Sequence, residues 1–241
     1  MRAIDLYIRT LSQRDAVTEA ECEALRALPQ QERSFAKGET IVREHSEPQE
    51  SCLLSLGIAG REIVLPDGNR QITALHIPGD FVDLHGMLLR RMDHAVIALT
   101  ECRCVFIPHA ALRRVADHQR HLGRLLWLST LIDAATQRTW TAAMAGLGAE
   151  ELLAHMICEL YLRFSIVGLA ADQRIQIPLP QAVLADVLGL SAVHVNRVLQ
   201  TLRRRGILAW KGGEVQIFDL AALMSLARFD DTYLSLVRMP R

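Results

Sequence analysis

The residues with the most evident chemistry lie in "LADVLGLSAVHVNRVLQTLRRRGILAWKGGEVQIF", positions 184 to 218. Between Val187 and Gly213 stand five basic side chains and no acid, in a chain that overall carries 27 of each sign. Val195, Val198, Leu199 and Leu202 follow the i, i+3, i+4, i+7 spacing of a helix face turned inward. That periodicity points Val193, Arg197, Gln200 and Arg204 directly outward, with Asn196 and Arg203 on one flank and His194 and Thr201 on the other. Forked donors, amides and one apolar group, with no carboxylate, suit the edges of a DNA major groove. Arginine matches guanine O6 and N7, Gln or Asn matches adenine, and an apolar group meets the thymine methyl.

Those side chains need elements to aim them. "PQAVLADVLGL" reads as a short helix beginning near Pro180, a tolerated first position, with Val183/Leu184 and Val187/Leu188 repeating every four residues on one face. Gly189 allows a sharp corner, and Ser191 can cap the second helix. "ILAW-KGG-EVQIF" then reads as a β-hairpin with Lys211 at its tip. The whole is a winged helix-turn-helix. Lys211, His194 and Gln181 are expected to hold phosphates and fix orientation while Arg197 reads sequence. A small helical subdomain with a solvated arginine patch explains the charges singly. It does not explain the capped corner, the acid-free face and the wing together.

The chain of 241 residues, 50% hydrophobic and 22% charged, suits one large or two modest domains. Zero net charge excludes a uniformly polybasic protein. From Ser165 onward, however, nine Lys/Arg face six Asp/Glu, about +3 here against about −3 elsewhere, which points to a polyanion at this end. The N-terminus lacks the apolar stretch of a secretory signal, and no apolar run is long enough to span a bilayer. Five cysteines, an odd number without metal-site spacing, fit a reduced cytoplasmic compartment.

Upstream, "TEAE" at Thr18 to Glu21 has the form of a capping box and predicts a helix to about Leu28. From Phe35 to Pro108, short β-type runs ("ETIVRE", "SCLLSL", "REIVL", "QITALHI", "AVIAL", "CRCVFI") alternate with turns, as in an antiparallel, jelly-roll-like β-roll. Residues 110 to 146 then fit one short and one long helix. On the long one, Leu125, Leu128, Ile132, Ala135, Thr139 and Ala142 form a stripe for which a second copy of the helix is the natural cover. The competing reading packs that helix back on its own roll. A hinge near Gly146 and Gly148, a new helix, and a linker "SIVGLAADQRIQIPLP" lead into the winged unit. The expected architecture is α+β: a roll with flanking helices over 1–118, a dimerisation helix over 119–146, and a winged helix-turn-helix over 147–241.

"LPQAVLADVLGLSAVHVNRVLQTLRRRGIL" resembles the helix-turn-helix signature of the Crp/Fnr superfamily of bacterial transcription regulators. "GIAGREIVLPDGNRQITALHIPGDFVDL" is similar to that superfamily's cyclic-nucleotide-binding-type roll, and the two segments cover nearly the whole chain in the family's order. The resemblance implies a homodimeric regulator, not an enzyme, on a palindromic site of double-stranded DNA, with RNA polymerase as a further partner if it activates and no membrane. It implies that Ala192, Val193 and Arg197 read the groove. The first two depart from the charged pair of the cyclic-AMP branch, so only Arg197 matches as a base reader. With the residues read above, the DNA-facing set is Gln181, Ser191, Ala192, Val193, His194, Asn196, Arg197, Gln200, Arg203, Arg204 and Lys211.

For the roll, the same resemblance marks Asp83, Leu84, His85, Gly86, Met87, Asp93 and His94 as the effector pocket. The cyclic-AMP branch holds ribose with a "GE" and phosphate with an "RS". Here Asp83-Leu84 and Asp93-His94 stand in those places, and Asp93 would repel a phosphate that normally takes a charge-assisted bond from arginine. Arg90 and Arg91 lie nearby as a shifted anchor, but cyclic AMP is not the expected ligand. His76, His85, His94 and Asp83 show neither a closed zinc pattern nor a His-x-His pair, so no metal ligand is assigned. The iron–sulfur branch carries an N-terminal cysteine cluster, whereas this chain has only Cys22 there, which disfavours a cluster. Cys102 and Cys104 share one strand face as small buried hydrophobes. A haem-, metal- or thiol-responsive regulator of the same fold, the thiol at Cys22 or Cys52, is the alternative. A β-roll enzyme and a protein–protein adaptor are the competing classes.

Overall fold

Ile4, Tyr7, Ile8 and Leu11 recur at helical spacing and are all buried, which makes α1 (Ala3–Arg14) a core helix that the sequence reading passed over. The computed structural model describes residues 2–89 and 91–239. Helix α2 (Glu19–Arg26) begins at the expected capping box: Glu21 N donates to Thr18 Oγ1 at 3.3 Å, and Thr18 N donates to Glu21 Oε2 at 2.8 Å.

The roll follows as β1 (Gln31–Phe35), β2 (Thr40–Val42), β3 (Glu50–Leu56), β4 (Ala59–Val64), β5 (Arg70–His76), β6 (Ala95–Ala98) and β7 (Cys102–Pro108), with a 3-10 turn at Leu84–Met87. The strands form two antiparallel sheets, β1-β7-β3 and β2-β6-β4-β5. All six β-type runs are strands. The seventh, β1, is a polar edge strand with no alternation to read. Between the sheets lie Cys52, Leu54, Ala59, Val96, Ala98, Cys102, Cys104 and Phe106. Gly57 turns β3 into β4 at φ +89°, where a Cβ would meet the Glu101 carbonyl at 2.2 Å.

Helices α3 (His109–His118) and α4 (Arg120–Gly146) match the expected short and long pair. The predicted seam on α4 needs correction. Leu125 is fully buried with Leu122 and Leu126 against α1 and the roll, Leu128 packs on the same cluster, and Ile132 is buried too. Ala135 and Thr139 are half-buried, and Ala142 alone of the stripe is exposed. The helix crosses its own roll, and that crossing consumes the first half of the marked face, from Leu125 to Ile132. The face left in solvent runs through Arg124, Trp127, Leu131, Arg138, Ala142 and Ala145, with Trp127 and Leu131 exposed by 64% and 50%.

The C-terminal unit comprises α5 (Ala149–Ile166), β8 (Arg174–Gln176), α6 (Gln181–Leu188), α7 (Ala192–Arg204), β9 (Leu208–Lys211), β10 (Glu214–Ile217) and α8 (Leu220–Ala227). The stretch read as a linker supplies β8, the outer strand of a sheet ordered β8-β10-β9. Its alternation, Ile175 and Ile177 in and Arg174 and Gln176 out, is too short to stand out in sequence. One apolar cluster joins Ile72, Leu75, Ile97 and Leu99 of the roll to the core of this unit. Polar contacts add to it: Arg70 pairs with Asp186 of α6, and Gln71 Nε2 donates to the Asp186 carbonyl at 2.5 Å.

Candidate nucleic-acid interface

Gly189 and Ser191 make the corner between α6 and α7. Pro180 is the N-cap of α6, one place before its expected position, and α6 ends on Gly189 at φ +63°, a left-handed cap that suits glycine. Leu190 N donates back to the Ala185 carbonyl at 3.1 Å. Ser191 Oγ accepts from His194 N at 3.2 Å, capping α7 as expected. The two helices meet at 99°, within the range of helix-turn-helix motifs. Val195, Val198 and Leu202 are buried in the shared core, which fixes the rotation of α7 and turns its other side out.

That outer side matches the periodicity. Gln181, Ser191, Ala192, Val193, Asn196, Arg197, Gln200, Arg203, Arg204 and Lys211 are exposed, and His194 is half-buried. Val193 is 76% exposed at the start of the helix, an apolar group held in water. Among the described residues, arginines beyond residue 170 pair as Arg174–Glu214, Arg205–Glu150 and Arg228–Glu151. Arg197, Arg203, Arg204 and Lys211 enter no ion pair there; Arg204 Nη2 donates to Thr201 Oγ1 at 3.1 Å.

Folding does bring two acids close. Glu150 and Glu151, in the first turn of α5, flank a shallow cleft shared with His194, Arg197 and Thr201. Both are engaged: Glu150 with Arg205, and Glu151 with Arg228 and with Gly148 N at 2.8 Å. The face therefore keeps its positive character.

The wing is a tight hairpin, with Lys211 opposite Glu214 and a two-glycine turn between them. Gly212 and Gly213 have φ of +63° and +86°, as the commonest hairpin turns require. Lys211 is thus the last strand residue, and the tip itself is glycine. Arg174 and Gln176 donate to the Glu214 carboxylate at 3.4 and 3.0 Å, so Lys211 stays exposed.

The roll residues marked as an effector pocket divide. Leu84 and Met87 pack into the α1–α4 cluster, and Gly86 is enclosed by Met92 and Pro48. Asp83 is 1% exposed; its Oδ1 accepts from Cys52 N at 2.7 Å, and burial pushes its pKa up to about 7. Asp93 is exposed and accepts from His94 Nδ1 at 2.8 Å. These residues do not fit a cyclic nucleotide. The ribose position is an apolar core side chain, and the phosphate position offers a carboxylate. Arg91 is exposed and donates to the His45 carbonyl at 3.0 Å; Arg90 lies outside the described residues. All five cysteines are buried and free. Burial pushes the thiols of Cys22, Cys52 and Cys102 up, away from the thiolate that redox sensing needs.

Two polar groups escaped sequence reading. Arg61 of β4 reaches Asp133 of α4 at 2.7 Å, beside buried His76. Burial, reinforced by the Arg61 charge, holds the His76 ring well below its usual pKa. Further along, Arg163 of α5 donates to Asp80 at 2.6 Å, to Glu159 at 2.8 Å and to the Leu75 carbonyl at 2.9 Å. Trp140 Nε1 and Tyr233 Oη donate to the same Glu159 carboxylate at 2.8 Å each. His155, Glu159 and Arg163 recur every four residues within the largely apolar stretch 152–164 of α5, the one signal that marked this network. Between β5, α4 and α5 it lines a cavity of about 200 Å³.

Comparison with known proteins gives two family models: cyclic nucleotide-binding domain over residues 32–119 and Crp-like helix-turn-helix domain over residues 151–226. The transcriptional activator protein FnrA of Stutzerimonas stutzeri is 27% identical over 86% of this chain and 84% of its own length. The nitrogen fixation regulation protein FixK of Bradyrhizobium diazoefficiens is 27% identical over 80% of both chains. Among solved structures, FixK2 from Bradyrhizobium japonicum has a TM-score of 0.74 at 25% identity, covering 83% of this chain and 98% of that one. The c-di-GMP responsive regulator CLP of Xanthomonas campestris shares the fold, with a TM-score of 0.63 at 15% identity over 83% and 99% of the two chains.

Proposed function

This chain belongs to the Crp/Fnr superfamily of DNA-binding transcription regulators, and we propose that it acts as a homodimer on a palindromic operator under control of a signal received by the roll. The observation that carries this reading is the exposed, acid-free side of α7, held on a capped 99° corner. Two such helices enter successive major grooves about 34 Å apart. Arg197 reads a guanine, while Asn196, Gln200, Ala192 and Val193 meet neighbouring base edges. Lys211, His194, Ser191, Gln181, Arg203 and Arg204 hold phosphates and set the register.

Dimerisation uses the free side of α4, where Trp127 and Leu131 lack cover in a single chain. With its other side committed to the roll, a change in the roll moves α4 and with it the reading heads. A signal acts only through its different affinity for the two arrangements. RNA polymerase is a further partner where the outcome is activation.

Selection of bound genomic fragments, followed by titration at fixed salt, tests the reading. Recovery of an inverted repeat bound by two chains is the expected result. Binding that shows no preference for any duplex refutes it.

A further inference from the structure

At the rim of the roll, the 3-10 turn Leu84–Met87 faces the loop that enters β6, bringing two imidazoles and a carboxylate together. The rings of His85 and His94 lie 5.1 Å apart, tilted at 45°. One donor atom from each of His85, Asp93 and His94 falls within 4.8 Å of the others. Backbone bonds hold the turn that carries His85 and the residue that precedes Asp93. Gly86 N donates to the Asp83 carbonyl at 2.8 Å and Leu88 N to the His85 carbonyl at 3.0 Å, which closes the turn. Met92 exchanges bonds with the next loop: its N donates to the Ser46 carbonyl at 2.9 Å, and its carbonyl accepts from His45 N at 2.8 Å.

Nε2 of both imidazoles is shielded from solvent and makes no hydrogen bond among the described residues. Buried polar atoms are rarely left so. Asp93 Oδ1 accepts from His94 Nδ1 at 2.8 Å, which holds a carboxylate beside the two imidazoles. Among the described residues, Arg61 is already paired with Asp133, and Arg91 donates to the His45 carbonyl.

We propose that His85, Asp93 and His94 hold a divalent first-row transition-metal ion of the zinc class. Two nitrogens and one oxygen suit such borderline ions rather than magnesium or calcium. Asp93 is exposed, so the ion enters from solvent and keeps water in its remaining positions. It would sit beside the Arg61–Asp133 bridge from roll to α4. Only this link to DNA binding rests on the function proposed above; the site itself does not.

The test uses full-length protein stripped with a chelator, then titrated with Zn(II), and with Co(II) for its visible absorption. The expected result is one ion retained per chain and a Co(II) spectrum typical of nitrogen ligation. His85→Gln and His94→Gln abolish both, Asp93→Asn weakens retention of either ion, and His45→Gln, on an exposed histidine, changes neither. Thermal melts confirm that the variants fold; should His94→Gln fail, His85→Gln on the half-exposed turn decides alone. Failure of the stripped wild-type protein to retain either ion, or retention unchanged in a folded His85→Gln variant, overturns the site. Operator binding is read on the same samples. A specific operator without metal uptake sinks this inference alone, whereas metal uptake without any specific operator sinks the regulator reading alone.

Discussion

The outer side of α7 and the polar interior of the roll contrast in how they treat charge. On α7, four cationic or amide donors (Asn196, Arg197, Gln200 and Arg203) stand in water without ion-pair partners among the described residues. In the roll, Arg61, His76, Asp83 and His94 are nearly sealed. There each group is paired, as Arg61 is with Asp133, or driven by burial toward its neutral form, as Asp83 and His94 are. An exposed donor stays available because water solvates it at little cost, whereas a buried one needs a partner or loses its charge. The first arrangement waits for a polyanion. The second keeps charge only where a partner answers it.

The largest effect expected lies where exposure should give way to burial on assembly. Leu131→Arg places like charges across the proposed α4 seam at a cost of several kcal/mol, roughly 3 or more. Sedimentation should show single chains, and operator affinity should fall at least about a hundredfold. A dimer that survives this change locates the seam elsewhere.

Next comes Asp83. Its folded pKa of about 7 lies above the unfolded value of 3.8, so between those limits the folded state binds more protons and stability falls as pH rises. Removing the group should flatten that decline, of about 3–4 kcal/mol between pH 4 and 7 at the upper limit. Denaturant titrations of Asp83→Asn across this range should show a shallower slope than the wild-type protein. Equal slopes would mean that the carboxylate is solvated.

Arg197→Ala should weaken operator binding by about 1–3 kcal/mol and relax selectivity at a single base pair. Untouched affinity at fixed salt would remove α7 as the reading helix. Lys211→Ala should lower affinity alike on all sequences and reduce the salt slope by about 1; a sequence-selective effect would make it a base reader. Smallest is the Arg70–Asp186 pair, whose side chains are 40% and 29% exposed. A double-mutant cycle should return about 0.2–1 kcal/mol. A much larger coupling would mean that the roll grips α6 more tightly than exposed charges allow.

Legibility in the sequence follows the same divide. The capping box at Thr18, the corner at Gly189, the cap at Ser191 and the facing of Arg197 are governed by residues within one or two turns, so their spacing reveals them. The roll strands were readable where β-branched and apolar runs met turn residues; the polar edge β1 and the three-residue β8 were not. On α4 the period identified a helix but not that Leu125, Leu128 and Ile132 pack on the roll while Trp127 and Leu131 stay exposed, because only packing between elements determines which side is consumed. Nothing in the spacing of Arg61 and Asp133, or of Asp80 and Arg163, joins them.

By itself the sequence determined the reading head: its helices, its corner, and which side chains face out, since periodicity and capping are local properties of the chain. Only the tertiary structure decided that Leu125 is core while Leu131 is free, and that His85 meets His94. Contacts between segments distant along the chain depend on how whole elements pack, and no local pattern carries that information.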